Sequence, residues 1–284
     1  MLLNVLNTES LYVPGGPGSG KSTFCRWVAW LAAEGQMPPV ELEPPTELAE
    51  AFPESLRNTL PILVPLRDLW LTLPQKPAGS SLSAKELRGA LDRWLPARTD
   101  SVDEIDLKGF IDAGRTLMLF DGIDEVPTSN PSSAVETNPR QLLLSGLRDG
   151  VTAWTPAGNR RLVTSRPYGL AESEIEKLGL RVAQIGDLPS ELQGLLARRW
   201  FRIQKQDAAR GDASAADLMR DIGQRDWLQP LAANPLMLTA MCAIYSDGGK
   251  LPQDRHQLYD RIVDSVLTKR YLDPKRRARV RFEL

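Results

Sequence analysis

The junction at residues 11–31 constrains this chain more than any other stretch. Leu11, Tyr12 and Val13 form a brief apolar strand, and the chain then enters GGPGSGKST, Gly15 to Thr23. From Lys21 the apolar period changes, with Phe24, Trp27, Val28 and Leu31 recurring at helical spacing. Strand, glycine turn and helix in that order open a βαβ unit, and such units build parallel sheets. The turn fits G-x-x-x-x-G-K-[ST], with Gly15 first, Gly20 sixth, then Lys21 and Ser22. Glycines let backbone N–H groups curl inward as an anion cradle. The helix start adds unpaired N–H groups and a positive dipole end. Gly15, Gly16, Pro17, Gly18, Ser19 and Gly20 would wrap a polyphosphate in this way. Lys21 would supply a point charge for β- and γ-phosphates. Ser22 offers a small hydroxyl for Mg2+, and Thr23 a donor for the α-phosphate. The bland alternative is a chance Gly-rich turn, but the flanking strand and helix are what the phosphate cradle requires.

Further apolar runs at Ile62–Val64, Leu117–Phe120, Leu162–Thr164 and Val182–Ile185 read as strands between helical stretches. The run 117–120 is apolar at every position, as expected of a strand covered on both faces. From about Asp187 only helical patterns remain. The last, 257–271, puts Tyr259, Ile262, Val263, Val266 and Leu267 on one face. The expected fold is therefore α/β. Residues 1–186 should form a three-layer parallel sheet of the P-loop NTPase type, and 187–284 a small all-helical domain. A chain of 284 residues has room for both.

Composition narrows the chemistry. Lys plus Arg is 35 and Asp plus Glu 36, which argues against a uniformly basic nucleic-acid binder. Two cysteines, Cys25 and Cys242, exclude a disulfide framework and a Cys-based zinc site. Both belong to apolar helices and read as core fillers. The single histidine, His256, excludes multi-His metal sites and leaves only a Ser-His-Asp hydrolase formally open. It lies just before the last helix among charged neighbours and reads as a surface residue. No segment has the length of apolar chain needed to span a membrane, and a reducing cytoplasm is the expected compartment. Residues 38–54 (rich in Glu and Pro), 127–139 (rich in Pro, Ser and Asn) and the basic 269–281 read as loops or solvated surface.

Three further motifs carry chemistry. In TLMLFDGIDE, 116–125, a buried strand ends at Asp121, with Asp124 and Glu125 following. Ligands of open α/β sheets sit at the carboxyl ends of strands. Asp121 would meet the Mg2+ held by Ser22, and Glu125 or Asp124 could orient and deprotonate an attacking water. In RLVTSRP, 161–167, a strand turns polar and presents Arg166 before Pro167. Arg166 either reads a γ-phosphate with its planar fork or closes an ion pair with a nearby carboxylate. Asn234-Pro235-Leu236 is an ordinary helix start, with Asn as cap and Pro at the first helical position. Its functional alternative has Pro235 packing on a nucleotide base. No NKxD motif is present, which argues against a Ras-like GTPase.

Together these residues resemble the NACHT family within the signal-transduction ATPases with numerous domains (STAND). GGPGSGKST is shared by many families, but FDGIDEVP, with a small Gly after the first Asp and two acids next, is the NACHT form of the acidic strand. LVTSRP resembles the family's first sensor and implicates Arg166 in γ-phosphate sensing. PILVPLRDL resembles its second strand, without a firm role for Arg67. LAANPLMLTAMC resembles the start of its helical domain, which implies that Pro235 packs against adenine. RHQLYDRIVDSVLTKRYL resembles that domain's last helix. The resemblance implies a switch, closed with ADP and open with ATP, that oligomerises when open. It implies signal transduction, and in bacteria defence against phage. An effector before the ATPase and a winged helix and sensor after it are expected, so the chain reads as the core of a longer protein. Alternatives are a nucleotide-binding scaffold without useful turnover and, prompted by the basic 269–281, a motor-type ATPase on nucleic acid. The last ranks lowest, because the basic residues lie far in sequence from the ATP motifs.

Overall fold

A computed structural model describes residues 2–37, 51–96, 106–133, 136–248 and 250–271. The acidic stretch 38–50 and the basic end beyond 271 lie outside these residues, as do 134–135 of the Ser/Asn-rich segment. The described residues fall into two compact units that part between Gly186 and Asp187.

In the first unit a short helix α1 (Leu2–Leu6) precedes strand β1 (Leu11–Pro14) and helix α2 (Lys21–Glu34). Strand β2 (Leu60–Pro65) runs directly into α3 (Leu66–Leu69), and α4 (Ala84–Trp94) and α5 (Leu107–Asp112) follow. Strand β3 (Thr116–Asp121), α6 (Pro139–Trp154), β4 (Arg160–Ser165), α7 (Glu172–Leu178) and β5 (Arg181–Val182) complete it. The five strands are parallel in the order β2-β3-β4-β1-β5. Pro61 and Pro65 are tolerated because β2 is an edge strand, where a missing N–H breaks no ladder. At the other edge β5 is short, yet Ala183 and Ile185 still donate to Tyr12 and Pro14 beyond it.

Alternation along the strands divides the core. Tyr12, Ile62, Val64, Met118, Phe120 and Val163 face one helical layer that includes α4, α6 and α7. Leu11, Val13, Leu117, Leu119 and Leu162 face the other, made by α1 and α2. The sheet is thus covered on both sides, which is why β3 carries four consecutive buried apolar residues, Leu117 to Phe120, where a half-exposed strand would alternate. On α2 the buried line is Cys25, Val28, Leu31 and Ala32, with Phe24 and Trp27 half-buried at its margin.

The second unit contains helices α8 (Ser190–Lys205), α9 (Ala208–Gly223), α10 (Gln229–Ala232), α11 (Pro235–Gly248) and α12 (Arg255–Tyr271). Phe201, Leu218, Ile222, Leu238, Met241, Cys242 and Leu258 share its core. Helices α8 and α9 pack so closely that a Cβ on Gly211 would stand 2.7 Å from the amide nitrogen of Arg202. Asn234 caps α11, accepting from the amides of Leu236 and Met237 at 3.0 and 3.2 Å. The expected apolar face of α12 is corrected. Leu258 is buried and Ile262 half-buried, whereas Tyr259 and Val263 are 43% and 52% exposed. Positions 258 and 262 lie one above the other on a helix, and the core reaches only that line. Residues 259 and 263 are turned about 100° from it. The side chains of Val266 and Leu267 lie outside the described residues. His256 also falls inside α12 rather than before it, in the exposed first turn, with Nδ1 2.8 Å from Asp260.

Candidate functional site at the carboxyl ends of the strands

The registers bring the strand ends level. Pro14 stands beside Ser165, and Pro65 beside Asp121. The segments that leave β1, β3, β4 and β2 therefore share one end of the sheet.

The loop after β1 is fixed first. The Gly15 amide donates to the Ser165 carbonyl at 3.0 Å, tying the loop to the end of β4. Gly18 and Gly20 adopt left-handed φ values of 75° and 92°, and the Ser19 amide closes a turn onto the Gly16 carbonyl. Lys21 folds back over this turn, and its ammonium donates to the carbonyls of Gly15 and Gly16 at 2.6 and 3.0 Å. The amides of Gly20, Lys21, Ser22 and Thr23 donate to no acceptor among the described residues, as at any uncapped helix start. Ser22 and Thr23 are exposed, and Pro17 lies on the outer side of the turn, also exposed.

The turn after β3 is built by positive-φ Gly122 (φ 80) and one turn of 3-10 helix, Ile123–Glu125. A side chain on Gly122 would approach the Glu125 carboxyl carbon to 3.1 Å. Thr164 of the neighbouring strand β4 holds this corner. Its hydroxyl donates to the Asp121 carboxylate at 2.6 Å and accepts from the Gly122 amide at 2.8 Å. Asp124 is half-buried, and both its oxygens are engaged by Arg166. One accepts from the Arg166 amide at 3.0 Å, and the other lies 3.2 Å from the guanidinium Nε. Glu125 is more open; its nearest cation is Arg67 at 3.8 Å, which enters from the end of β2. The Arg166 turn is closed by Gly169, where a Cβ would stand 2.2 Å from the Ser165 hydroxyl and 2.8 Å from the Asp124 Cβ.

Of the two readings of Arg166, the structure shows the ion pair. It also separates the two acids. Asp124 is a partner of the Arg166 turn, which leaves Glu125 as the acid free to face a water. The electrostatics join the motifs. Burial holds the Lys21 ammonium below its usual pKa, while Asp124, Asp121 and Glu125 support its charge and Arg166 opposes it. Asp124, Asp121, Arg166 and Glu125 thus all act on Lys21. Pro235 belongs to the second unit, at the first position of α11.

No protein-family model matches this chain, and no curated protein matches its sequence.

The residues present fit a phosphate ligand on three observations. The Ser19 hydroxyl is buried without a hydrogen-bond partner. Side chains on Gly16 and Gly20 would begin in open space, with no heavy atom beyond their chain neighbours within 4 Å. Among the described residues the amides of 20–23 meet no acceptor. A metal is held less fully. Among the described residues, no three His, Cys, Asp or Glu side chains converge on one point. Ser22 and Asp121 would hold Mg2+ through one hydroxyl and one carboxylate, both hard oxygen donors of the kind this cation prefers.

Sequence reasoning missed Thr164, whose signal was a hydroxyl residue interrupting an apolar strand just before Arg166. It also missed Arg140, which carries no local signal and is treated below. Among the described residues, no helix is long and apolar enough to cross a membrane.

Proposed function

We propose that this chain binds Mg2+-ATP on the 15–23 loop, hydrolyses it slowly and uses the exchange of ADP for ATP as a switch, as its resemblance to NACHT-type STAND NTPases implies. One observation carries the reading: the loop over which Lys21 folds is tied through Gly15 to the end of β4, and Thr164 of the same strand end holds Asp121 and the turn that carries Asp124 and Glu125. Lys21 exchanges the carbonyls of Gly15 and Gly16 for β- and γ-phosphate oxygens. The amides from Gly20 to Thr23, with Gly15, Gly16, Pro17, Gly18 and Ser19 around them, enclose the phosphates. Ser22 and Asp121 would hold Mg2+, which would supply charge neutralisation to the phosphates there. Glu125 takes the proton of a water as that water attacks the γ-phosphorus. The bond to the bridging oxygen breaks, and ADP departs with its electron pair. Arg166 meets the γ-phosphate only by loosening its pairing with Asp124, so it distinguishes ATP from ADP. Such a difference in affinity between states is what a switch requires.

The resemblance carries two wider expectations, Pro235 against adenine and self-association with ATP bound, while composition and charge carry a cytoplasmic setting and rank a nucleic-acid partner lowest. The occupied state of Asp124 favours a second reading, a nucleotide-binding scaffold whose turnover is negligible. Two variants test both. Lys21→Ala should lose ATP affinity by on the order of tenfold or more in calorimetric titration; unchanged affinity would remove the site. Glu125→Gln should keep affinity and lose on the order of 100-fold in phosphate release, the usual worth of a general base. Release that persists in Glu125→Gln would reject Glu125 as the base. A parent chain with no release at all would leave the scaffold.

A further inference from the structure

The side chain of Glu125 is poorly restrained for a residue proposed to aim a water. Among the described residues its carboxylate has only the loose contact with Arg67, at 3.8 Å between two largely exposed groups. A pair of that kind contributes little. Asp121 and Asp124, by contrast, are held through their carboxylates by Thr164 and Arg166. The position of Glu125 must therefore come from its backbone.

That backbone is gripped from outside the turn. Arg140, the second residue of α6, reaches back across the segment 127–139. Its Nη2 donates to the Asp124 carbonyl at 2.8 Å, and its Nε donates to the Val126 carbonyl, also at 2.8 Å. The Arg140 amide adds a third bond, to the Pro127 carbonyl at 3.2 Å. The two carbonyls taken by the guanidinium belong to the residues immediately before and after Glu125. The planar fork can take two acceptors at once with fixed spacing, which an ammonium cannot do. From within the turn, Glu125 and Val126 have only the amide bonds to Gly122 and Ile123, at 3.0 and 3.2 Å.

We propose that Arg140 is a positioning residue for the hydrolytic reaction: it clamps the backbone carbonyls of Asp124 and Val126, the residues on either side of Glu125, and so aims the carboxylate. It touches no phosphate. The assignment rests on the reading of Glu125 as the water-activating acid, but the clamp itself can be judged without nucleotide.

The test uses the full chain and three variants, Arg140→Ala, Arg140→Lys and Glu125→Gln. In the nucleotide-free protein, Arg140→Ala should speed amide hydrogen exchange of Glu125 and Val126 by about tenfold, with exchange in the β3 strand unchanged. Phosphate release should fall roughly 10- to 100-fold, the scale of a small misplacement of a reacting group. Affinity for ATP and ADP should stay within about twofold, because the loop and Lys21 are untouched. Arg140→Lys should restore only part of the rate. In a Glu125→Gln background, Arg140→Ala should lower the residual rate no further. Parent-like exchange at 125–126 would overturn the clamp. So would a loss of nucleotide affinity matching the loss of rate, or full additivity with Glu125→Gln. If Arg140→Ala does not fold, Arg140→Lys carries the same exchange, rate and affinity comparison. A parent chain that binds ATP without releasing phosphate would overturn the positioning role, while the exchange result would still judge the contact.

Discussion

At the scale of single residues the site depends on hydroxyls and peptides as much as on charges. Thr164 is the sharpest case, because one buried hydroxyl serves both the Asp121 carboxylate and the Gly122 amide. Thr164→Val keeps the shape and removes both bonds. The buried Gly122 N–H is then left without an acceptor, which costs about 1–3 kcal/mol. Denaturant unfolding should register that loss, and ATP binding should need more Mg2+ because Asp121 is no longer held. Thr164→Ser, which keeps the hydroxyl, should behave like the parent in both measurements; a Thr164→Val chain with parent stability would refute the role. The sequence made some of this legible. Lys21 and Ser22 could be picked out because a phosphate cradle demands those residue types at fixed spacing, and Asp121, Asp124, Glu125 and Arg166 because they follow apolar strands whose ends share one side of a sheet. What Arg166 touches could not be read, since an arginine at a strand end suits a phosphate and a carboxylate equally. Arg140 was invisible for a different reason. Its partners are main-chain carbonyls, and a carbonyl leaves no mark in a sequence.

At the scale of elements, the sheet order explains why those residues meet. Strand β4 lies between β1 and β3, so Thr164 can hold the β3 turn while Ser165 holds the loop after β1. The four longer strands were legible from apolar runs bounded by Pro and Gly. Their order was not, because parallel pairing depends on which helices cross which face. The α12 stripe misled for a related reason: apolar residues spanned more of the helix than the core can cover. In the second unit, close packing sets the tolerance of α8 and α9. Alanine at 211 would gain about 1 kcal/mol of helix propensity over glycine. Its Cβ, however, would stand 2.7 and 2.8 Å from the backbone of Arg202, which cannot rotate away. Forced separation of packed elements costs about 1–3 kcal/mol. It would also stretch the Arg202–Asp212 pairing, now at 2.7 and 2.6 Å. Gly211→Ala should therefore lower the urea midpoint of the second unit despite its better helix propensity. A raised midpoint would mean the helices part more easily than their spacing implies.

At the scale of the whole molecule, the question is whether the nucleotide involves both units. The residues proposed to bind phosphate all lie in the first unit, and Pro235 opens α11 in the second. Inorganic tripolyphosphate and ATP separate their contributions, because the first presents phosphates without a base. If Pro235 packs on adenine as the resemblance implies, the parent chain should bind Mg2+-ATP more tightly than Mg2+-tripolyphosphate. Pro235→Ala should then weaken ATP by about 1 kcal/mol, roughly fivefold, and leave tripolyphosphate unchanged. The substitution is mild for the fold, since the first helical position needs no N–H and Asn234 still caps the helix. Lys21→Ala should weaken both ligands, because phosphate is the part they share. Equal weakening of both ligands by Pro235→Ala would point to a change in the protein rather than a lost contact with the base. No weakening of either would take Pro235 out of the nucleotide site and leave the first unit to bind ATP by its phosphates alone. In that case nucleotide exchange would have no direct grip on the helical unit, and any switch would have to run through the Arg166 and Asp124 pair.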